Sequence, residues 1–251
     1  MKKGIEIETE RLILRPWAPE DAEALYKYAS DPEIGIAAGW EPHKSVDDSL
    51  AIIRTVFAAP ETYAMVLKST GEPVGSIGIM FTTGLHSAGM EEDEAEIGYW
   101  IGRPYWGQGL TPEAVRRLLK RCFLELRLNA VWCGHYEGND KSRRVMEKCG
   151  FTFHHSERCK VSPLGTVHTE HFTRITRDEW FRQNGMASFR TMNPADSHLL
   201  RELFHDTVLT VNAADYTPEE TQDWASCGDR EGHWERLTGT MHFIAAMDTD
   251  G

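Results

Sequence analysis

The sequence predicts an α+β protein built on a mixed, mostly antiparallel sheet of seven strands flanked by helices. Runs with strand character fall at about 5–15, 62–68, 73–82, 94–102, 130–136, 151–159 and 166–176, and helical stretches at about 19–30, 46–58, 111–126 and 139–149. Their order, β-α-α-β-β-β-α-β-α-β-β, reads as one layered unit. Hydrophobic residues fill 41% of the 251 positions, enough to give such a sheet a real core.

The elements follow in order from local signals. Ile7-Glu-Thr-Glu-Arg-Leu-Ile-Leu-Arg15 supplies the first strand, with Glu20-Asp21 at the start of the first helix, and Gly71-Glu-Pro73 turns the chain between strands two and three. Strand four ends in Ile97-Gly-Tyr-Trp-Ile-Gly102, which suits a buried strand whose backbone something must approach. A loop with Gly107 and Gly109 follows, then Thr111 as the expected helix N-cap, Pro112 at the first helical position and Glu113 behind it. Alternating glycines before a helix start leave backbone N–H groups unobstructed where the helix dipole is positive, which is what a diphosphate requires. Glycines in such turns also serve purely conformational needs. Asn139 is a good cap for the helix that precedes Gly150-Phe151.

Composition narrows the classes of function. No apolar run approaches a membrane span, and Met1-Lys2-Lys3 leads into charged residues rather than a signal segment, so no membrane association is expected. The five cysteines (122, 133, 149, 159, 227) are odd in number and lack C-x-x-C spacing, as expected of reduced, mostly buried thiols in a cytoplasm. The net charge of −12 is uneven, with 23 basic against 27 acidic residues in 1–184 and 4 against 12 in 185–251. Such a chain is a poor nucleic-acid binder and favours a cationic acceptor. Phosphates would then need a local positive patch. Arg116, Arg117, Lys120 and Arg121, with Lys141, Arg143 and Arg144, either supply it or are solvated helix faces.

Pro104-Tyr-Trp-Gly107-Gln-Gly109 and the helix after it resemble motif A of the GCN5-related N-acetyltransferases (GNAT), whose Q/R-x-x-G-x-G/A turn holds the pyrophosphate of acetyl-CoA. Pro104 stands where Gln or Arg is usual. Tyr105-Trp-Gly-Gln-Gly-Leu-Thr-Pro-Glu-Ala114 is most similar to the RimJ/RimL branch, whose members acetylate protein N-terminal amines and assorted small amines. Asn139-Asp-Lys-Ser142 with Val145-Met-Glu-Lys-Cys-Gly-Phe151 resembles that branch's N-x-x-S…E-K-x-G-F segment, and Ile7 to Trp17 its opening. The resemblance covers about residues 5–183.

It implies a GNAT fold and a set of roles. Gly107, Gln108, Gly109, Leu110 and Thr111 would bind the pyrophosphate. Asn139 would bind pantetheine or order nearby backbone, and Ser142 would protonate the departing thiolate. Arg143 would add positive charge near the coenzyme. Backbone N–H groups at Trp100 and Ile101 would hold the oxyanion, and pantetheine would pair with the strand around Ile101 and Arg103 like an added strand. Trp40, in the connection between the first two helices, either lines the acceptor side or anchors the loop by packing.

Acetyl transfer to an amine needs a base. Glu96 begins the fourth strand after the run Glu91-Glu-Asp-Glu94, and a carboxylate at the rim of an apolar cleft gains basicity by partial desolvation. It is the candidate base, with water the alternative. Its loss is expected to cost most at low pH, where the acceptor is an ammonium ion. Glu91 to Glu94 read as a solvated acidic loop. His154-His155 and His168/His171 fall on strands expected to be adjacent, and solvent-facing histidines are commoner there than metal ligands, so no metal is expected. Cys149 reads as core.

The expected protein is a cytoplasmic, acetyl-CoA-dependent N-acetyltransferase. It would act on a primary amine, a protein N-terminus or a small molecule, by direct attack in a ternary complex. The alternatives are an aminoglycoside-type antibiotic acetyltransferase and a non-catalytic acyl-CoA-binding or regulatory module. Acceptor identity depends on loops around 31–45, 83–93 and 161–166.

The chain divides at Gln183-Asn184-Gly185 into a GNAT domain (1–184) and a tail (185–251). Phe189-Arg190-Thr-Met-Asn-Pro194-Ala-Asp196 matches Leu14-Arg15-Pro-Trp-Ala-Pro19-Glu-Asp21. The tail therefore resembles the first half of a second GNAT domain (β-α-α-β), cut at its second turn, with no glycine loop and no coenzyme site. Its apolar residues, among them Phe189, Leu203, Val208, Trp224, Trp234 and Ile244, must pack on the first domain, on another copy as a homo-oligomer, or on a missing half.

Overall fold

The computed structural model describes residues 5–81, 90–161, 165–185, 188–228, 232–241 and 243–247. The chain divides into two compact units, Met1–Trp180 and Phe181–Gly251.

The first unit is α+β. Its strands are β1 (Ile7–Glu8), β2 (Leu12–Arg15), β3 (Thr62–Leu67), β4 (Pro73–Met80), β5 (Glu94–Ile101), β6 (Ala130–Tyr136), β7 (Thr152–Val161) and β8 (Thr166–Thr176), in sheet order β1-β2-β3-β4-β5-β6-β8-β7. Eight strands replace the expected seven because the first run breaks at Thr9, whose N–H donates to Leu12 O at 2.9 Å and folds Ile7 back onto Leu14. All neighbours are antiparallel except β5 and β6. The helices are α1 (Ala22–Ala29), α2 (Pro32–Ala38), α3 (Val46–Arg54), α4 (Leu110–Lys120), α5 (Asp140–Lys148) and α6 (Arg177–Gln183), whose last three residues belong to the second unit, and α4 runs on through a wider turn, Arg121–Glu125.

Helix α2 was expected as irregular connection, yet its signals stand in the sequence. Asp31 caps it by accepting from Glu33 N, Pro32 opens it, and Gly39 closes it at φ 83. At seven residues it is too short for a periodic apolar stripe to show.

One layer of helices buries Leu25, Ala29 and Ile53 against Ala64 and Val66 of β3, with Trp40 and Trp100 at its border. Successive strand residues face opposite sides of a sheet. Trp100 points into that layer, whereas the Tyr99 hydroxyl meets Ser142 of α5 on the other face.

The feature that positions the site is where β5 and β6 part. They pair only over Glu94 to Glu96 with Ala130 to Trp132. Beyond that, β5 stays on β4 as far as Ile101 and β6 stays on β8 as far as Tyr136, so a wedge opens between two parallel strands.

In the second unit β9 (Ser188–Thr191) pairs antiparallel with β10 (Ile244–Met247), and α7 (Ser197–Asp206), α8 (Pro218–Cys227) and α9 (His233–Thr240) lie between them in sequence. Three helices stand where two were expected. Val208 and Ala225 are buried, and Phe204 packs on Trp234 at 5.4 Å. Leu203, Trp224 and Ile244 are exposed, and the Phe189 side chain lies outside the described residues. No described helix is long and apolar enough to cross a membrane.

Candidate active site

The glycine loop sits at the N-terminus of α4. Gly109, at φ 76, is the N-cap, and Leu110 is the first helical residue. Thr111 is buried one position further on rather than capping, and Pro112 is third. The correction follows from backbone geometry, since a left-handed turn at the helix start favours glycine over threonine. A cap without a side-chain oxygen offers no competitor to an anion for the first-turn N–H groups. Gly107 is also at φ 76, and a Cβ there would meet nothing within 4 Å. Both glycines therefore serve an unusual backbone and leave an open approach, which fits a diphosphate.

Arg11, not singled out from the sequence, braces this loop. Its Nη1 donates to Gln108 O at 2.9 Å, and its Nε pairs with Glu113 of α4 at 2.7 Å. Gln108 Nε2 donates to Pro104 O at 2.8 Å. The expected positive patch is thinner than its sequence. Arg121 is buried against Glu61 at 2.6 Å, Arg117 pairs with Glu125, and Arg143 pairs with Asp140 and Glu147 on its own helix. Lys141 Nζ lies 3.5 Å from the centre of the Trp106 ring.

Main-chain groups on β5 alternate across the wedge. Gly102 N donates to Val74 O of β4, while Ile101 O on the opposite edge accepts from Trp106 Nε1 at 2.9 Å. Ile101 and Tyr99 therefore present their backbone to the opening and Trp100 presents its own to β4. Of the two residues expected to hold an oxyanion, Ile101 turns its backbone to the opening and Trp100 turns its own to β4.

Glu96 is buried on the face where β5 leaves β6. Burial, and then the charge of Glu170, push its carboxyl up to about 8. Glu170 reaches this face over Gly134, where a Cβ would come within 2.6 Å of its Oε1. Glu94 is buried as well, not solvated as its acidic neighbours suggested. Burial opposes its ionisation, but hydrogen bonds from Arg174 and from Trp132 Nε1, at 2.6 Å, hold it below the ordinary carboxylate range.

On the other face, Ser142 Oγ lies 2.9 Å from the Tyr99 hydroxyl, which burial pushes well above its ordinary value. Asn139 caps α5, its Oδ1 accepting from Ser142 N at 3.1 Å, and its Nδ2 donates to Ala37 O at 3.3 Å. Trp40 packs edge-on against Trp100 with ring centres 5.9 Å apart and lies beside His43. It is thus both the packed anchor of its loop and a wall on the Glu96 side of the sheet. Arg103 points to α2, where it pairs with Glu33 at 2.5 Å and Asp31 at 3.4 Å. Of the other expected acceptor loops, residues 82–89 and 162–164 lie outside the described residues.

The histidines have local partners: His155 pairs with Glu157, His168 with Thr166 and His171 with Ser156. Among the described residues no three His, Cys, Asp or Glu side chains are grouped to hold a metal ion. Cys122, Cys133 and Cys149 are buried, and burial pushes the Cys149 thiol up to about 11. The Cys159 and Cys227 side chains lie outside the described residues.

The acetyltransferase (GNAT) domain model matches residues 11–152, and the chain belongs to this family. The uncharacterized N-acetyltransferase p20 of Bacillus licheniformis is 31% identical over 148 residues, 57% of this chain and 80% of that protein. The putative ribosomal N-acetyltransferase YdaF of Bacillus subtilis is 35% identical over 96 residues, 38% of this chain and 52% of that protein. The crystal structure of the microcin C7 self-immunity acetyltransferase MccE, in complex with acetyl-CoA and AMP, superposes with a TM-score of 0.56 at 20% identity, covering 70% of this chain and 97% of that one. The protein is an acetyltransferase.

Proposed function

We propose that the protein transfers acetyl from acetyl-CoA to a primary amine by direct attack in a ternary complex. The observation that carries this reading is the wedge between β5 and β6, with buried Glu96 on one face and the Tyr99–Ser142 pair on the other. Coenzyme bound here supplies the acetyl thioester. Gly107, Gln108, Gly109, Leu110 and Thr111 hold its pyrophosphate, and Ile101 and Arg103 offer main chain to its pantetheine arm. Glu96 takes the ammonium proton, main-chain N–H groups at Tyr99 and Ile101 face the developing oxyanion, and the Ser142 hydroxyl, steadied by Tyr99, donates a proton to the sulfur. Of the two roles read for Asn139, binding pantetheine or ordering nearby backbone, its cap on Ser142 N supports the second.

A RimJ/RimL-like acceptor, an N-terminal or small primary amine, is supported by the glycine-loop sequence and by likeness to a protein named as a ribosomal N-acetyltransferase. A merely binding module would have no use for a carboxyl poised near neutrality opposite a hydroxyl pair. Screening amines and Ala- or Ser-starting peptides with a free-thiol readout tests the proposal. Stoichiometric acetyl-CoA binding without thiol release from any of them would sink it.

The second unit is read as the first half of a GNAT-like domain. In support, Pro19–Asp21 and Pro194–Asp196 form the same short turn 175 positions apart. In each, the aspartate accepts the N–H of the residue before proline at 2.9 Å. A helix of 8 residues in the first and 10 in the second follows, and a strand returns antiparallel to the one before the turn.

A further inference from the structure

Helix α2 bridges the mouth of the wedge. At its start, Arg103, two residues beyond β5, pairs with Glu33 and Asp31. At its end, Ala37 O accepts from Asn139 at the head of α5, and a Cβ on Gly39 would lie 2.6 Å from the hydroxyl of Tyr136, the last residue of β6. The helix is therefore held by the segment after β5 and by the head of α5, and its end lies close against the last residue of β6. Trp40 follows it directly and packs on Trp100.

We propose that Arg103 is a positioning residue for the acceptor: by clasping Asp31 and Glu33 it holds α2 and Trp40 as a roof over the Glu96 side of the wedge. The proposal rests on the reading that the acceptor enters on that side. The local backbone steers Arg103 there. Gly102 lies flush on α1, where a Cβ would come within 2.5 Å of the Tyr28 ring, and the Tyr28 and Tyr105 hydroxyls lie 3.2 Å apart beyond it. A seven-residue helix does not hold itself in water, so its placement comes from its anchors. Arg103 and Glu33 are 49% and 61% exposed at their side chains, and such surface pairs add little to global stability. Losing the pair should therefore loosen the roof without unfolding the protein, and because Arg103 serves the coenzyme only through its backbone, coenzyme affinity should hold.

The test uses full-length Arg103→Gln, Glu33→Gln, the double variant and Arg103→Lys. Amide exchange over residues 31–40 should speed up in each Gln variant, with Tm nearly unchanged. Acceptor KM should rise about fivefold in Arg103→Gln and less in Glu33→Gln, which leaves the Asp31 pair in place, and the double variant should be no worse than Arg103→Gln, since that variant already removes both pairs. Arg103→Lys should recover part of the effect, and acetyl-CoA Kd in Glu33→Gln, a residue with no part in the coenzyme site, should stay within about twofold. Unchanged exchange at 31–40, additive KM effects, or a weakened acetyl-CoA Kd with unmoved KM would each overturn the proposal, the last by making Arg103 a coenzyme ligand. Absence of turnover in the wild type would instead fail the enzymatic reading, and the exchange measurement would still decide the clasp.

Discussion

Glu94 and Glu96 stand two residues apart on one face of β5, both buried, and the structure drives them in opposite directions. Glu94 is held ionised by Arg174 and Trp132, whereas burial and Glu170 push Glu96 up to about 8. Two carboxyls whose surroundings separate them in this way suit different tasks, one fixing structure and the other exchanging a proton.

The first prediction follows from Glu96. The rate should rise with pH through an apparent pKa near 8, and Glu96→Gln should remove the share of that rise that Glu96 supplies, leaving only the rise from the acceptor amine's own deprotonation. This reverses the expectation from sequence that the base matters most at low pH. Below its raised value the carboxyl is already neutral, so removing it costs little there. Stability gives an independent check. A folded pKa above the unfolded one favours the protonated form, so this contribution is full below the ordinary carboxylate value and is lost as pH rises through about 8. Relative to wild type, the Gln variant should gain in Tm between about pH 5 and about pH 9. A Tm difference that does not move with pH would refute it.

The Tyr99–Ser142 pair gives the second. Ser142→Ala should lower kcat by about a hundredfold with little change in acetyl-CoA Kd, and Tyr99→Phe should lower it less. The double variant should be no worse than Ser142→Ala, because both act through one hydrogen bond. Additive losses would separate their roles.

Much of this was legible beforehand, and what was not has physical causes. The glycine loop, Asn139 and Ser142 are spacing signals within one strand–helix or turn–helix unit, so the sequence carries them. Tyr99, Arg11 and Glu170 matter because of neighbours that are distant in the chain: Ser142, Glu113 and Glu96. Alternation on β5 also decides which backbone faces the wedge, and that parity is set by pairing with β4, which composition does not reveal. From its basic helix Arg121 reads either as part of a phosphate patch or as a solvated face, and it is neither. It is buried against Glu61 where the helix widens into the Arg121–Glu125 turn.

That ion pair carries a stability prediction. Arg121→Met would leave Glu61 without its charge partner, its other bond being from the Tyr63 hydroxyl at 2.7 Å. Losing one member of a buried pair costs about 3 kcal/mol. Arg121 holds Glu61 below its ordinary value, so this contribution is present above the unfolded pKa and is lost as pH falls through the folded one. Denaturant unfolding should show the full deficit near neutrality and a smaller one in acid. An equal deficit at both would mean lost packing rather than lost charge.

At the glycine loop, Gly109→Val should weaken acetyl-CoA binding by more than about tenfold. A branched residue at φ 76 is strained by about 1–2 kcal/mol, and it stands at the uncapped start of α4. Protein crowding is not the cause, since the nearest atom to the new Cβ is Arg11 Nη2 at 3.6 Å. Calorimetry with unchanged affinity would remove the loop from the coenzyme site.

The last prediction concerns the second unit. Every element assigned to coenzyme lies in the first, and the second shows a two-stranded sheet, an arrangement that is marginal by itself. Its 71 residues bury a limited core. Leu203, Trp224 and Ile244 remain 65%, 42% and 72% exposed. Residues 1–184 should therefore bind acetyl-CoA as tightly as the full chain. The full chain should differ from them in solubility or oligomeric state, because the exposed apolar side chains favour association. Calorimetry and light scattering on both forms decide it: weaker coenzyme binding by 1–184 would place part of the site in the second unit, and identical, concentration-independent monomers would leave that unit with no role in assembly.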